Sequence, residues 1–133
     1  MNVYGKVHFF FFFIIIGTVL EGANAIKIDD AEAAPGASDV EVRFLIDTEE
    51  PVVGLSFAAQ YPPETECTDV TLEGTMLGPE GLDAEFFMLL HKPESRFFSA
   101  GIVLEVENPY TGIAIEPGEN LHVCSALFTI SED

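Results

Sequence analysis

The amino-acid sequence predicts an all-β protein, an antiparallel β-sandwich. Three observations carry that expectation: about seven or eight short apolar-alternating segments recur at roughly 8 to 12 residue intervals, Pro and Gly punctuate the gaps, and no segment after residue 25 has a convincing helical period.

The first element is a short "IKI" segment at residues 26–28, separated from the next strand by the chain-breaking Pro35-Gly36 pair. In "VEVRFLI", Val40, Val42, Phe44 and Ile46 are apolar while Glu41 and Arg43 alternate with them, the period of a half-buried strand. In "PVVGLSFAAQYPPE", Val53, Leu55, Phe57, Ala59 and Tyr61 share one face, and Val52, Gly54, Ser56, Ala58 and Gln60 share the other. Pro62 and Pro63 donate no ladder hydrogen bond and end that strand. "DVTLEG" at 69–74 is a short strand with Val70 and Leu72 inward, and "GPEGLD" at 78–83 is a loop. "AEFFMLLH" at 84–91 is apolar on both faces and reads as a buried strand, a single helical turn being the other reading that so short a run allows. From Phe98 to Val106 the alternation is cleanest; "ENPYTG" then marks a turn and "IAIEPGEN" a short strand followed by another turn. Along Leu121 to Ile130 the apolar parity changes between Val123 and Ala126, so the strand either bulges or has both faces covered.

Residues 1–25 precede this pattern and read as a secretory signal. Lys6 leads into the unbroken "FFFFFIII" of Phe9 to Ile16, the apolar character continues to Leu20, and Ala23-Asn24-Ala25 puts small residues where a signal peptidase reads. The apolar run is about 12 residues where a membrane-spanning helix needs roughly 20. The expectation is therefore a cleaved leader, a single domain over residues 26–133, no membrane span after cleavage, and an extracellular or cell-surface location.

The formal net charge is −18, and Glu21 and Lys6 are the only charged residues that fall within the leader. A domain of that sign lacks the Lys and Arg that phosphate attraction needs, which excludes nucleic acid and anionic lipid as partners. Cys67 and Cys124 are the two cysteines, and an oxidising destination leaves a disulfide between them open. Closing that loop would stabilise the fold by about 4 kcal/mol in the chain-entropy treatment. No Cys-x-x-Cys pair or His-Cys cluster supports zinc or redox chemistry.

The order of features resembles the bacterial cohesin module, the jelly-roll sandwich of cellulosome scaffolds, related in fold to certain cellulose-binding modules. The matching residues are Pro35-Gly36 before the second strand, Gly54 to Phe57 for the family's apolar-Gly-x-x-Phe, Tyr61-Pro62-Pro63 for its Tyr-Asp-Pro, and Phe128-Thr129-Ile130 for its late Phe-x-Ile. Pro62 departs from the usual Asp, and the chain stops at "ISED", roughly where a final strand or hairpin of the family would follow, as in a shortened variant or a fragment. The resemblance implies a non-catalytic module that binds an extracellular protein, of the dockerin type, or plays a surface-structural part. It places the interaction face on Gly54, Ser56, Ala58 and Gln60. Family members that grip dockerin carry Asn and Asp where Gly54 and Ser56 stand, and small side chains make no charge-assisted contact, which argues against an ordinary dockerin partner. The alternative implied by the shared fold is a carbohydrate-binding module serving extracellular polysaccharide degradation. Against that reading, the chain has no Trp, and Phe97 and Tyr110 are the only aromatics expected to be exposed.

Catalytic signatures are weak. Ser56 in "GLSFA" lacks the nucleophile elbow, and His91 and His122 read as surface residues. Glu105 and Glu107 share one face of a strand and read as its solvated side. The expectation is no enzymatic activity and no cofactor, with calcium the one ion worth considering, at Asp29, Asp30 and Glu32 or at Asp47, Glu49 and Glu50.

Overall fold

A computed structural model of the chain describes residues 7–8, 24–29 and 31–132. The strands are β1 (Val7–His8), β2 (Ala25–Ile28), β3 (Glu32–Ala33), β4 (Val40–Thr48), β5 (Gly54–Gln60), β6 (Thr65–Thr71), β7 (Phe86–Lys92), β8 (Phe97–Val103) and β9 (Gly118–Ile130). Two antiparallel sheets result, one in the order β2-β4-β9-β6 and one in the order β5-β8-β7, with β1 and β3 forming a separate two-stranded pair. The protein is thus all-β, and its two sheets stack as a sandwich. Among the described residues no helix is long and apolar enough to cross a membrane.

The alternation in the sequence decides which side chains enter the space between the sheets. Val42, Phe44 and Ile46 come from β4, Phe57 and Ala59 from β5, Phe98, Ala100 and Ile102 from β8, and Ala126, Phe128 and Ile130 from β9; all are buried. Phe44 lies between the sheets with its ring centroid 5.0 Å from Phe57 and 5.8 Å, edge-on, from Phe98, a geometry that aromatic quadrupoles favour. The parity change in the last strand is a bulge. Phe44 faces Cys124 while Leu45 faces His122, so Val123 is the extra residue, and Val123 and Cys124 are both buried.

Turns fall where Pro and Gly stand. Gly36 adopts a φ of 82°, which its lack of a Cβ permits, and its N–H donates to Ile130 O at 3.1 Å. Tyr61 N–H donates to Arg96 O at 2.9 Å and Thr65 N–H to Pro62 O at 3.1 Å, turning the chain from β5 into β6. Residues 72–85 cross from one sheet to the other and carry buried Leu77 into the end of the sandwich. "IAIEPGEN" contributes one bridge, Val52 with Ile115.

The leader expected at residues 1–25 lies largely outside the described residues. Its last residue, Ala25, already belongs to β2 and pairs with Asp47, while Asn24 Oδ1 accepts the Glu49 N–H at 3.0 Å. The backbone of Val7–His8 pairs with Glu32–Ala33.

Candidate functional site

The two outer faces of the sandwich differ in charge. On the four-stranded sheet, Glu41, Arg43, Glu66, Asp69 and Glu119 lie exposed on the strands. In the three-stranded sheet, none of the chain's 23 acidic residues falls on a strand. A protein this acidic has therefore kept carboxylates off one entire sheet. Desolvating a carboxylate is costly, so an acid-free face is the one that a partner can cover most easily.

The floor of this face comes from β5 and β8. Ser56 pairs with Gly101, Ala58 with Ser99, and Gln60 with Phe97. Gly54 and Ser56 are half-buried, Ala58 is buried, and Gln60 is exposed. The four residues singled out in the sequence do lie on one outward face, but the neighbouring strand decides how much of each is open. A Cβ built on Gly101 would meet nothing within 4 Å, so its missing side chain leaves free space above the sheet.

The wall comes from β7. Met88 stands opposite Gly101, Leu90 opposite Ser99 and Phe86 opposite Val103, so these three large side chains rise along the edge of a floor of Ser, Gly and Ala. Two adjoining shallow depressions result, one bounded by Ser56, Ala58, Met88, Leu90 and Gly101, the other by Val53, Gly54, Phe86 and Val103. Met88 is 59 % and Leu90 49 % exposed.

The expectation that "AEFFMLLH" is a buried strand is corrected by the order of the sheet. The segment is a strand, but it is an edge strand. Even its inward residues Phe87 and Leu89 remain 36 % and 37 % exposed, since among the described residues the sheet ends at β7. An apolar run on both faces has the same period whether it is buried or at an edge, which is why sequence pattern could not separate the two. The ends of β7 are held in place. Ala84 N–H donates to Leu77 O at 3.0 Å and Glu85 N–H to Leu104 O at 3.1 Å. At the other end, buried Tyr61 has its hydroxyl 2.7 Å from His91 Nε2 and its ring against Phe128. Burial raises the Tyr61 phenol above its ordinary pKa. His91 is accordingly a half-buried tether rather than the plain surface residue expected.

His122 belongs to a separate chain of hydrogen bonds on the opposite face. Its Nε2 is 2.7 Å from Ser125 Oγ, Ser125 Oγ donates to Glu41 Oε2 at 3.2 Å, and Arg43 Nε donates to Glu41 Oε1 at 2.9 Å. Ser, His and Glu are adjacent, yet the order differs from that of a nucleophilic triad. The carboxylate meets the serine instead of orienting the imidazole, and Ser125 is fully buried, out of reach of a substrate. Burial, followed by the Arg43 charge, pushes the His122 pKa below its usual value. The Arg43 hydrogen bond holds the Glu41 carboxyl below its own.

Among the remaining candidates, Glu105 and Asp47 have structural partners. Glu105 accepts backbone N–H groups from Thr111, Gly112 and Ile113 at 2.9, 2.9 and 3.1 Å, and bonds to the Thr111 hydroxyl and these amides hold its pKa low. Asp47 accepts from Asn120 N–H at 2.7 Å and Lys27 Nζ at 3.0 Å. Among the described residues no three His, Cys, Asp or Glu side chains gather as a metal site, and Asp30 lies outside those residues. Cys67 and Cys124 are buried and free, so the disulfide left open by the sequence is not formed. Cys67 pairs with Phe128, four residues along β9 from Cys124. At ~3.3 Å per residue that offset is beyond the ~7 Å Cα separation a disulfide spans. Burial pushes the thiol of Cys67 up to about 11 and that of Cys124 up to about 12.

Compared with known protein families, curated proteins and solved structures, the chain matches none.

Proposed function

We propose that the chain is a secreted or cell-surface, non-catalytic binding module of cohesin-like character, and that the outer face of the β5-β8-β7 sheet receives an extracellular protein partner. The observation that carries this reading is the acid-free sheet face walled by exposed Phe86, Met88 and Leu90. Contiguous exposed apolar side chains on a soluble domain mark contact surfaces, and interfaces exclude charge from their centres. A partner with an apolar ridge for the wall and a basic rim for the surrounding acidic surface fits this face best.

A polysaccharide is less well served. Sugar rings stack on flat aromatic rows, whereas Phe86 on β7, beside Val103, and Phe97 at the start of β8 stand at opposite ends of the outer face, roughly 20 Å apart along the strands by strand rise. Catalysis finds no support in the buried Ser125 or in Glu105, whose oxygens are spent on backbone amides. The test is capture of extracellular proteins from the source organism on the immobilised chain, with a glycan array alongside. A protein held through the Gly101 face supports the reading; binding confined to glycans would replace it.

A further inference from the structure

The edge of β7 that no strand among the described residues pairs has a polarity that its outer face does not explain. The strand begins after exposed Asp83 and Glu85 and ends at exposed Lys92, with exposed Arg96 just beyond and Glu94 between the two cations. Its interior, Phe86 to His91, holds no formal charge with histidine neutral. Lys92 and Arg96 are two of the chain's five Lys and Arg residues, so the C-terminal end of this edge is among the few places where a chain of net charge −18 is locally positive.

We propose that β7 pairs antiparallel with β7 of a second copy of this chain, joining two three-stranded sheets into one continuous sheet across a two-fold axis. Antiparallel pairing brings the basic end of each strand to the acidic end of the other, whereas a parallel neighbour would set like charges together. The axis stands perpendicular to the sheet, which keeps outward residues on the same side in both copies. A register centred on Leu89 satisfies that condition. It sets Met88 against Leu90 of the second copy, Phe87 against His91, and Phe86 against Lys92, with Glu85 of the second copy one residue further along. Pairing satisfies the ladder groups that a flat apolar edge otherwise exposes. It also covers the flank of Phe87 and Leu89 that faces away from β8, where no other strand among the described residues lies. No acidic residue lies on β7 or β8, so the repulsion between two −18 chains is weakest along this contact. The closed symmetry limits assembly to two copies. This pairing uses the edge of β7 and is independent of which partner occupies the outer face.

The experiment is sedimentation equilibrium on the chain purified from a host expressing the full coding sequence, with the Met88→Lys, Leu89→Cys and Val53→Cys variants. The wild type is expected to be a dimer at micromolar concentration, Met88→Lys is expected to bind itself at least tenfold more weakly, and oxidised Leu89→Cys is expected to form a covalent dimer. Val53 is exposed and apolar but immediately precedes β5, at the edge of the sheet opposite the outer edge of β7, so Val53→Cys is the crosslinking control. Leu89→Cys needs no new charge and reads the register even if Met88→Lys folds poorly. A monomer at ~100 μM, where specific interfaces of ordinary size are populated, would overturn the proposal. Open-ended polymers, or crosslinking no faster at position 89 than at position 53, would overturn it too. So would a monomer that keeps residues 9–16 and exposes β7 to deuterium exchange only when they are removed, since the chain's own leader would then hold the edge.

Discussion

Met88 stands directly across from Gly101 on the outer face of the three-stranded sheet, so the most exposed side chain of the β7 wall overlooks a floor position that has no side chain. A glycine inside a strand weakens it, and here a Cβ would meet nothing within 4 Å. Packing within the fold therefore gives no reason for glycine at 101; the partner proposed for this face would supply one.

That relationship can be measured without a partner. Gly101→Ala is expected to raise unfolding stability by about 0.5–1 kcal/mol in urea titration, because the substitution removes backbone entropy from the unfolded chain and clashes with nothing. A loss of stability would mean that the space above Gly101 is already filled.

The rings of Phe44, Phe57 and Phe98 meet in the space between the sheets, and Phe98 is fully buried. Phe98→Ala is expected to cost about 3–5 kcal/mol, enough to unfold a marginal domain. Met88→Ala, at the exposed wall, is expected to stay within about 0.5 kcal/mol of wild type by the same titration. Comparable losses at the two positions would place Met88 in the core.

Because the folded state holds His122 below its ordinary pKa, the unfolded chain binds the proton more tightly. Stability therefore rises with pH up to the unfolded value near 6.5 and falls as pH drops below it. In His122→Gln this part of the pH dependence should vanish, leaving only the acid limb of the carboxylates. Thermal melts of both proteins between pH 5 and 7.5 read the difference; parallel curves would contradict the assignment.

Buried, protonated thiols are poor nucleophiles. Neither Cys67 nor Cys124 should react with a thiol reagent in the native state, and both should react after denaturation with no reductant added. If denaturation releases no thiol, the cysteines are bonded and the β6-β9 register is wrong.

Much of the sandwich was legible because it is written in period two. The faces of β5 and the turn at Pro35-Gly36 follow from local alternation and its interruption, while the parity change near Val123 left a bulge or two covered faces open until the pairing of β4 with β9 decided for the bulge. What required the structure is set by pairing between distant segments. Cys67 and Cys124 look bondable until the register of β6 on β9 separates them, and His122, Ser125 and Glu41 meet only because β4 and β9 are neighbours. The candidate face was half legible for the same reason. Gly54, Ser56, Ala58 and Gln60 could be read from their own strand, whereas the wall opposite them belongs to a strand whose edge position leaves no mark on its period.

The direct test of the binding face is a side-by-side capture of extracellular proteins from the source organism by the wild-type chain, Gly101→Arg and Arg43→Ala. Gly101→Arg fills the floor beside Met88, while Arg43→Ala alters the opposite sheet. A protein retained by wild type and Arg43→Ala and lost with Gly101→Arg is expected, with all three baits showing the same circular dichroism. Retention by Gly101→Arg and loss with Arg43→Ala would put the binding face on the other side of the sandwich and contradict the proposal.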